Sequence, residues 1–122
     1  MLDPSSFANI SLRGGFVITS MEFTPEPMVD ALGREAIAQT RIVGLRFRLL
    51  VRAGLSEREL SITLYHEVLE AAALASPDPP ASVMEFNEGD FERAAQAVHL
   101  KWGDASLENL NLMLQSFGFR GE

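Results

Sequence analysis

Apolar and polar residues alternate most regularly along residues 41–52. In this stretch the odd positions from 43 onward are apolar, and the even positions are mostly arginine. A period of two predicts one strand with an apolar face against a core and an opposite face in solvent. The arginines of the solvent face are Arg46, Arg48 and Arg52. They would meet an acidic partner or pair with Glu57 and Glu59.

Other segments predict one more strand and four helices. β-branched and aromatic residues after Gly14-Gly15 predict a strand over Phe16–Phe23. The predicted helices cover residues 28–40, 56–75, 88–102 and 104–117. Ser56 and Glu59 form a capping box for the second helix, and Asn87 is a favourable N-cap for the third. The first helix is the weakest of the four, because a glycine lies inside it.

The order of these elements predicts the fold class. A strand–helix–strand unit over 16–52 is followed by three helices, which predicts an α+β fold with a small twisted sheet packed by three to four helices. The chain has 122 residues, a usual length for one domain, so we expect a single domain over 1–122. Thr24–Pro27 and Ser76–Pro80 are predicted as loops within it.

Composition removes several classes of function. The net charge of −7 argues against nucleic acid as a partner. The absence of cysteine excludes a disulfide scaffold, a thiolate zinc site and a cysteine nucleophile. No segment approaches the run of about 20 apolar residues that spans a bilayer, and the first residues lack the pattern of a secretory signal. We therefore expect a cytoplasmic protein with no membrane partner.

Candidate chemistry is concentrated in the second predicted helix. His66 and Glu70 are four residues apart, so an imidazole and a carboxylate lie one turn apart on the same face and can converge on one cation. Glu67 would stand beside that cation with a free carboxylate, where it could act as a general base towards water. An exposed His–Glu pair on an ordinary solvent-facing stripe is the competing interpretation.

The third predicted helix carries a second polar set. Its members share one face and are Glu88, Glu92, Gln96 and His99. Glu88 could supply a third ligand across the gap between the helices, and Glu92 could accept a hydrogen bond from His66 and fix its tautomer. His99 is a possible alternative ligand. Acidic residues are also favoured in the first turn of any helix, so a solvated face is again the alternative.

The layout resembles that of the zincin metallopeptidases. Residues 66–70 read His-Glu-Val-Leu-Glu, where these families have His-Glu-x-x-His, and residues 87–92 are similar to their Asn-Glu-x-x-x-Asp segment. The resemblance is strongest to the gluzincin branch and the compact ImmA/IrrE-like peptidases, and covers roughly residues 43–95 in order and spacing. It implies a zincin-like layout of sheet and helices.

Carried over by position, the resemblance implies a role for each residue of the motif. His66, Glu70 and Glu88 would be the metal ligands, Glu67 the general base and Glu92 the group that orients His66. Glu70 replaces the second histidine of these families. A His-Glu-Glu set makes a bound water less acidic, and its oxygens accept Mn²⁺ or Fe²⁺ as well as the Zn²⁺ of these families. Three outcomes stay open: an active variant, a metal-binding relic, or a fold that holds no metal.

The expected function is therefore that of a zincin-like divalent-metal-binding domain that acts as a divergent hydrolase of peptide-like bonds. A peptide or protein substrate would lie extended along the edge of the Val43–Arg52 strand. The alternative is a non-catalytic interaction module, either a degenerate zincin or a dimeric accessory protein. It is motivated by Leu112, Met113 and Leu114, which give the last helix apolar residues on more than one side for contact with a partner such as a second copy.

Overall fold

The computed structural model describes residues 7–25, 28–29, 33 and 35–119. These residues form two-stranded and four-stranded sheets and three helices, in the order β1 (Ile10–Ser11), β2 (Val17–Thr24), β3 (Met28–Val29), β4 (Glu35–Ala36), β5 (Ala38–Val43), β6 (Arg46–Arg52), α1 (Glu57–Ala75), α2 (Glu88–Trp102) and α3 (Leu107–Ser116). The predicted α+β class is confirmed. Parts of the predicted 1–122 domain, of the Thr24–Pro27 loop and of the first helix lie outside the described residues.

The main sheet has the strand order β1-β2-β6-β5. β6 is parallel to β2 and antiparallel to β5, so it has a hydrogen-bonded neighbour on each side. The prediction that a substrate adds to the edge of the Val43–Arg52 strand is therefore wrong, because β6 lies inside the sheet. Among the described strands, the edge on this side belongs to β5.

The helix predicted over 28–40 is wrong. β3 and β4 pair as a short antiparallel ladder, and β5 begins at Ala38. Gly33, which lies between β3 and β4, has a φ of +79°, a conformation that glycine adopts readily and a helix does not contain. The moderate helix propensity of this segment is outweighed by the pairing of β5 with β6 over six residue pairs.

The single strand predicted over 41–52 is also wrong, because it is two strands joined by a tight turn. Gly44 and Leu45 form the turn, and Gly44 has a φ of +61°, as the first central residue of a type II′ turn requires. Val43 is 76% exposed and Leu45 41% exposed. The apolar face of β6 that does reach the core consists of Phe47, Leu49 and Val51.

The helices begin where the cap residues predict. Ser56 and Glu59 form the capping box of α1, and Asn87 forms a second capping box with Asp90 at the start of α2. The last helix is shorter than predicted, because Ser106 caps it and it covers 107–116. Within the part of the chain that the structure describes, no helix is both long enough and apolar enough to cross a membrane.

Two buried polar side chains of α1 fix how α1 lies against the end of α2. The hydroxyl of Tyr65 donates to the carbonyl of Gly103 at 2.8 Å. Ser61, which is fully buried, accepts a hydrogen bond from the amide of Ala105 at 2.8 Å and lies 2.9 Å from Nδ1 of His99. Because buried polar groups are costly to leave unpaired, these contacts set the register of the two helices.

We expect Gly44→Ala to destabilise the fold by roughly 1–2 kcal/mol, the cost of placing a side chain in a left-handed conformation. A Cβ at position 44 would meet nothing within 4 Å, so the effect isolates backbone strain. Gly89→Ala is the matched control, because Gly89 lies in the first turn of α2 and has no positive φ. Urea unfolding measures the stability of both variants, and equal losses would contradict the turn assignment.

Candidate metal centre

Three side chains of α1 form the first half of a polar cluster. His66, Glu67 and Glu70 each place a ligand-type atom within 4.8 Å of the others. The neighbouring positions on α1, such as Val68 and Leu69, are fully buried, so the rest of the helix packs into the core and this face is left to the polar side chains. Nε2 of His66 lies 3.9 Å from Oε2 of Glu70, which is the contact that a four-residue spacing predicts.

The second half of the cluster comes from the first two turns of α2. The capping box at Asn87 starts the helix so that Glu88 and Glu92 both face α1. Oε2 of Glu88 lies 3.0 Å from Nε2 of His66, and Oε1 of Glu92 lies 2.9 Å from Nδ1. Each ring nitrogen of His66 therefore faces a carboxylate oxygen from the other helix.

The contact with Glu92 decides which ring atom of His66 is available to a cation. When Nδ1–H donates to Glu92, Nε2 is the atom that faces Glu70 and Glu88. Glu92 is held in turn by Gln96, whose Nε2 donates to its second oxygen at 3.0 Å. On the other side the ring of Phe91 lies 6.2 Å from the imidazole, with 30° between the planes. These contacts limit rotation of the imidazole.

Glu67 is the most enclosed carboxylate of the cluster. Burial raises its pKa, against the charge of His66 and a hydrogen bond from Thr40, and the charges of Glu88 and Glu92 raise the pKa further. The hydroxyl of Thr40 donates to Oε1 of Glu67 at 3.1 Å. Thr40 belongs to β5, the edge strand, so this hydrogen bond ties the carboxylate to the sheet edge.

Sequence reasoning missed Thr40. It lies in the segment 28–40, for which the sequence predicts a helix, and a single threonine there gives no indication of a contact with the cluster. Only the pairing of β5 with β6 brings it to the cluster.

Glu70 is the carboxylate whose protonation is most displaced. Burial, a hydrogen bond with Glu88 and the negative charges of Glu88 and Glu67 together raise the pKa of Glu70 to about 8. At neutral pH the protein without a metal therefore keeps a proton on Glu70. This proton and the hydrogen bond between Glu70 and Glu88 reduce the repulsion between the two carboxyl groups.

The donor set fits a divalent transition-metal ion. Imidazole nitrogen and carboxylate oxygen bind such ions at about 2.0–2.2 Å, so two ligands of one tetrahedral ion lie roughly 3.4 Å apart. The distances from Nε2 of His66 to the oxygens of Glu88 and Glu70, 3.0 Å and 3.9 Å, lie on either side of that value. Small rotations of two glutamates would equalise them.

The structure brings together five of the six residues singled out from the sequence: His66, Glu67, Glu70, Glu88 and Glu92. It does not bring His99 to them. His99 lies eleven residues after Glu88, roughly 16 Å along the helix, and its Nδ1 is engaged by Ser61. The roles of the five residues as ligands, base and orienting group remain predictions.

Comparison of the chain with protein-family models, curated proteins and solved structures gives no match in any of the three. The interpretation of the cluster therefore rests on its own geometry and on the chemistry of its donors.

The raised pKa of Glu70 predicts how stability changes with pH in the presence of a chelator. The folded chain keeps this proton up to about pH 8, whereas a glutamate in the unfolded chain releases it near 4.5. The folded state thus binds more protons in this window, and stability falls as the pH rises through it. Glu67, whose pKa is also raised, contributes in the same direction.

Glu70→Gln keeps a hydrogen-bond donor but cannot ionise, so we expect a flatter dependence of the urea midpoint on pH between about 5 and 8. Glu108→Gln, which removes an exposed carboxylate of α3, is the control and should leave the slope as in the parent protein. Equal slopes in the parent and Glu70→Gln would contradict the shifted pKa.

Proposed function

We propose that the protein binds one divalent transition-metal ion through His66, Glu70 and Glu88, and that Glu67 acts as general base in the hydrolysis of a peptide-like bond. The observation that carries this proposal is the position of His66. Its Nε2 lies 3.0 Å and 3.9 Å from carboxylate oxygens of two different helices, while Nδ1 is engaged by Glu92. An exposed His–Glu pair on a solvent stripe would not need partners from a second helix.

The electrostatics of the cluster support a cation. The carboxyl groups of Glu70 and Glu88 face Nε2 of one imidazole and Glu67 lies beside them, and in the metal-free protein a proton on Glu70 offsets part of their charge. A divalent ion would offset it more fully and would displace that proton. The oxygen-rich set suits Mn²⁺ and Fe²⁺ as well as Zn²⁺, because harder ions prefer oxygen donors.

The chemistry of Glu67 suits a general base. A carboxylate with an ordinary pKa is a weak base at neutral pH, and burial moves the pKa of Glu67 upward, towards the working range. The hydrogen bond from Thr40 occupies Oε1 and leaves Oε2 to receive a proton from water. When bound, the ion would polarise a carbonyl and make a water molecule more acidic.

The edge of β5 is the proposed place for the substrate, in place of the edge of β6. An extended peptide can add to an edge strand through main-chain hydrogen bonds. Thr40 lies on β5 and contacts Glu67, so a peptide on this edge would pass beside the proposed base. This supports a substrate with a peptide-like backbone.

A non-catalytic interaction module, a degenerate zincin-like domain or a dimer, is the second candidate. The hydrogen bond between Glu70 and Glu88 and the raised pKa of Glu70 favour it, since they reduce the repulsion within the cluster without an ion. Of the three apolar residues predicted to meet a partner, Met113 and Leu114 are buried in the core, and Leu112 is 37% exposed. Leu107, which is 39% exposed, joins Leu112 as a residue available to a second copy. For either function we propose a cytoplasmic location, because the chain has no cysteine for the disulfides common in small secreted domains.

Metal binding is tested by titrating Mn²⁺ and Zn²⁺ into the purified protein, with bound metal measured by elemental analysis. We expect about one equivalent in the parent protein and loss of most of it in His66→Ala and Glu88→Gln, because each removes a ligand. Glu92→Gln should weaken affinity about 10–100-fold through the orientation of His66. Glu108→Gln is the control, and metal uptake that is equal in all variants would overturn the proposal.

Two further variants separate the catalytic proposal from the second candidate. Glu67→Gln should keep its metal and lower hydrolysis of quenched fluorescent peptides about 10²–10⁴-fold, because it removes only the base. Glu70→His restores the second histidine of the zincin motif. If the parent binds metal without hydrolysis while Glu70→His hydrolyses peptides, the protein is a decayed enzyme. Strictly monomeric protein in size-exclusion light scattering would count against a dimeric accessory role.

A further inference from the structure

Four arginines project from the outer surface of the main sheet, the surface opposite to α1. They lie on β5 and β6, and we call them the arginine face: Arg41, Arg46, Arg48 and Arg52. They are four of the ten basic residues of a chain whose net charge is −7. The inward residues between them, Phe47, Leu49 and Val51, are buried in the core, so the direction of the arginines is fixed by the strand alternation.

The arrangement of the arginine face is unfavourable for a surface that meets only water. Arg41 and Arg48 are direct partners in the antiparallel ladder of β5 and β6. Side chains in such a position have Cβ atoms about 4.5–5.5 Å apart, and like charges there destabilise a sheet. Because Arg48 is held by Glu22, replacing Arg41 is the change that would relieve this repulsion.

Part of this charge is neutralised by acidic side chains among the described residues. Glu22 on β2 forms an ion pair with Arg48 at 2.7 Å, and Arg52 lies close enough to Glu59 to lower the pKa of that carboxyl, after the larger effect of Ser56. Among the described residues no acidic side chain forms an ion pair with Arg41 or with Arg46. Both are exposed.

We propose that the arginine face binds a short extended segment of a protein partner whose side chains facing the sheet are acidic, with one apolar residue at the end that reaches Val43. Guanidinium groups pair with carboxylates through two parallel hydrogen bonds, which makes arginine the residue suited to this contact. An apolar contact is also present. Val43 is opposite Arg46 in the ladder, therefore on the same surface, and is 76% exposed.

The size of the arginine face favours a short peptide over nucleic acid. Arg46 and Arg52 are six residues apart on β6, which is about 20 Å at 3.3 Å per residue. An extended segment of six to eight residues covers this length. A duplex carries a charge about every 1.7 Å and extends beyond the arginine face. There its phosphates would lie close to the acidic remainder of the chain, which repels them.

This proposal does not depend on the metal centre. The arginine face and the cluster around His66 lie on opposite sides of the sheet, since Thr40 points to Glu67 while its neighbour Arg41 points outward. A failure of metal binding would leave the arginine face untouched.

Fluorescence anisotropy with a labelled octapeptide of glutamates that ends in leucine tests the proposal in the full-length protein. We expect saturable binding at low salt that weakens as salt is raised to about 0.15 M. Arg41→Gln with Arg48→Gln should weaken binding at least about tenfold, because both proposed carboxylate partners are lost. The control is Arg58→Gln with Lys101→Gln, which removes the same charge from exposed positions on helices and should change affinity less than about twofold.

Other probes separate the remaining occupants. The same peptide with glutamine in place of glutamate should bind at least about tenfold more weakly. Binding of a single-stranded octanucleotide as tight as that of the acidic peptide would overturn the proposal in favour of nucleic acid. No binding of the peptide at about 1 mM, or equal losses in the two double variants, would also overturn it.

Arg41→Glu gives a second, independent readout. It replaces a like-charge pair with an opposite-charge pair, so we expect Tm to rise by roughly 2–4 °C while peptide affinity falls. Opposite effects on stability and on peptide binding would indicate that Arg41 contributes to recognition of the peptide at a cost in stability. A variant that loses stability, or that binds the peptide as tightly as the parent, would contradict this role.

Discussion

The imidazole of His66 lies between carboxylates from two helices, and the packing of α1 against α2 keeps it there. Glu88 and Glu92 reach opposite nitrogens of the ring at 3.0 Å and 2.9 Å. Both distances depend on the register of the helices, which the buried contacts of Ser61 and Tyr65 fix elsewhere along α1. If that register shifted by one residue, the carboxylates would turn about 100° away from the ring.

The same packing creates a concentration of negative charge that the fold must offset. Each carboxylate of the cluster has a partner: Thr40 donates to Glu67, Gln96 donates to Glu92, and Glu70, whose pKa is raised, forms a hydrogen bond with Glu88. A proton on Glu70 and a bound cation would reduce the same repulsion. This is the physical link between the metal-free fold and the proposed metal centre.

Local signals in the sequence predicted the helices of the site, and non-local pairing explains what was missed. The caps at Ser56 and Asn87 act within four residues, so they could be recognised directly. Gly44 is a local signal of the β5–β6 turn. The alternation of apolar and polar residues continues across it, however, and this pattern predicts one uninterrupted strand. Thr40 reaches the cluster only through strand pairing, and His99 is withdrawn from it by Ser61, thirty-eight residues away in sequence. Contacts of this kind leave no periodic pattern.

X-ray absorption spectroscopy of the metal-loaded protein tests the central claim most directly, because it reports the ligands of the ion itself. With Zn²⁺ or Mn²⁺ bound, the account predicts one imidazole nitrogen and carboxylate oxygens at about 2.0–2.2 Å, with the imidazole signal absent in His66→Ala. A shell of oxygen atoms alone, or a spectrum that His66→Ala leaves unchanged, would contradict it.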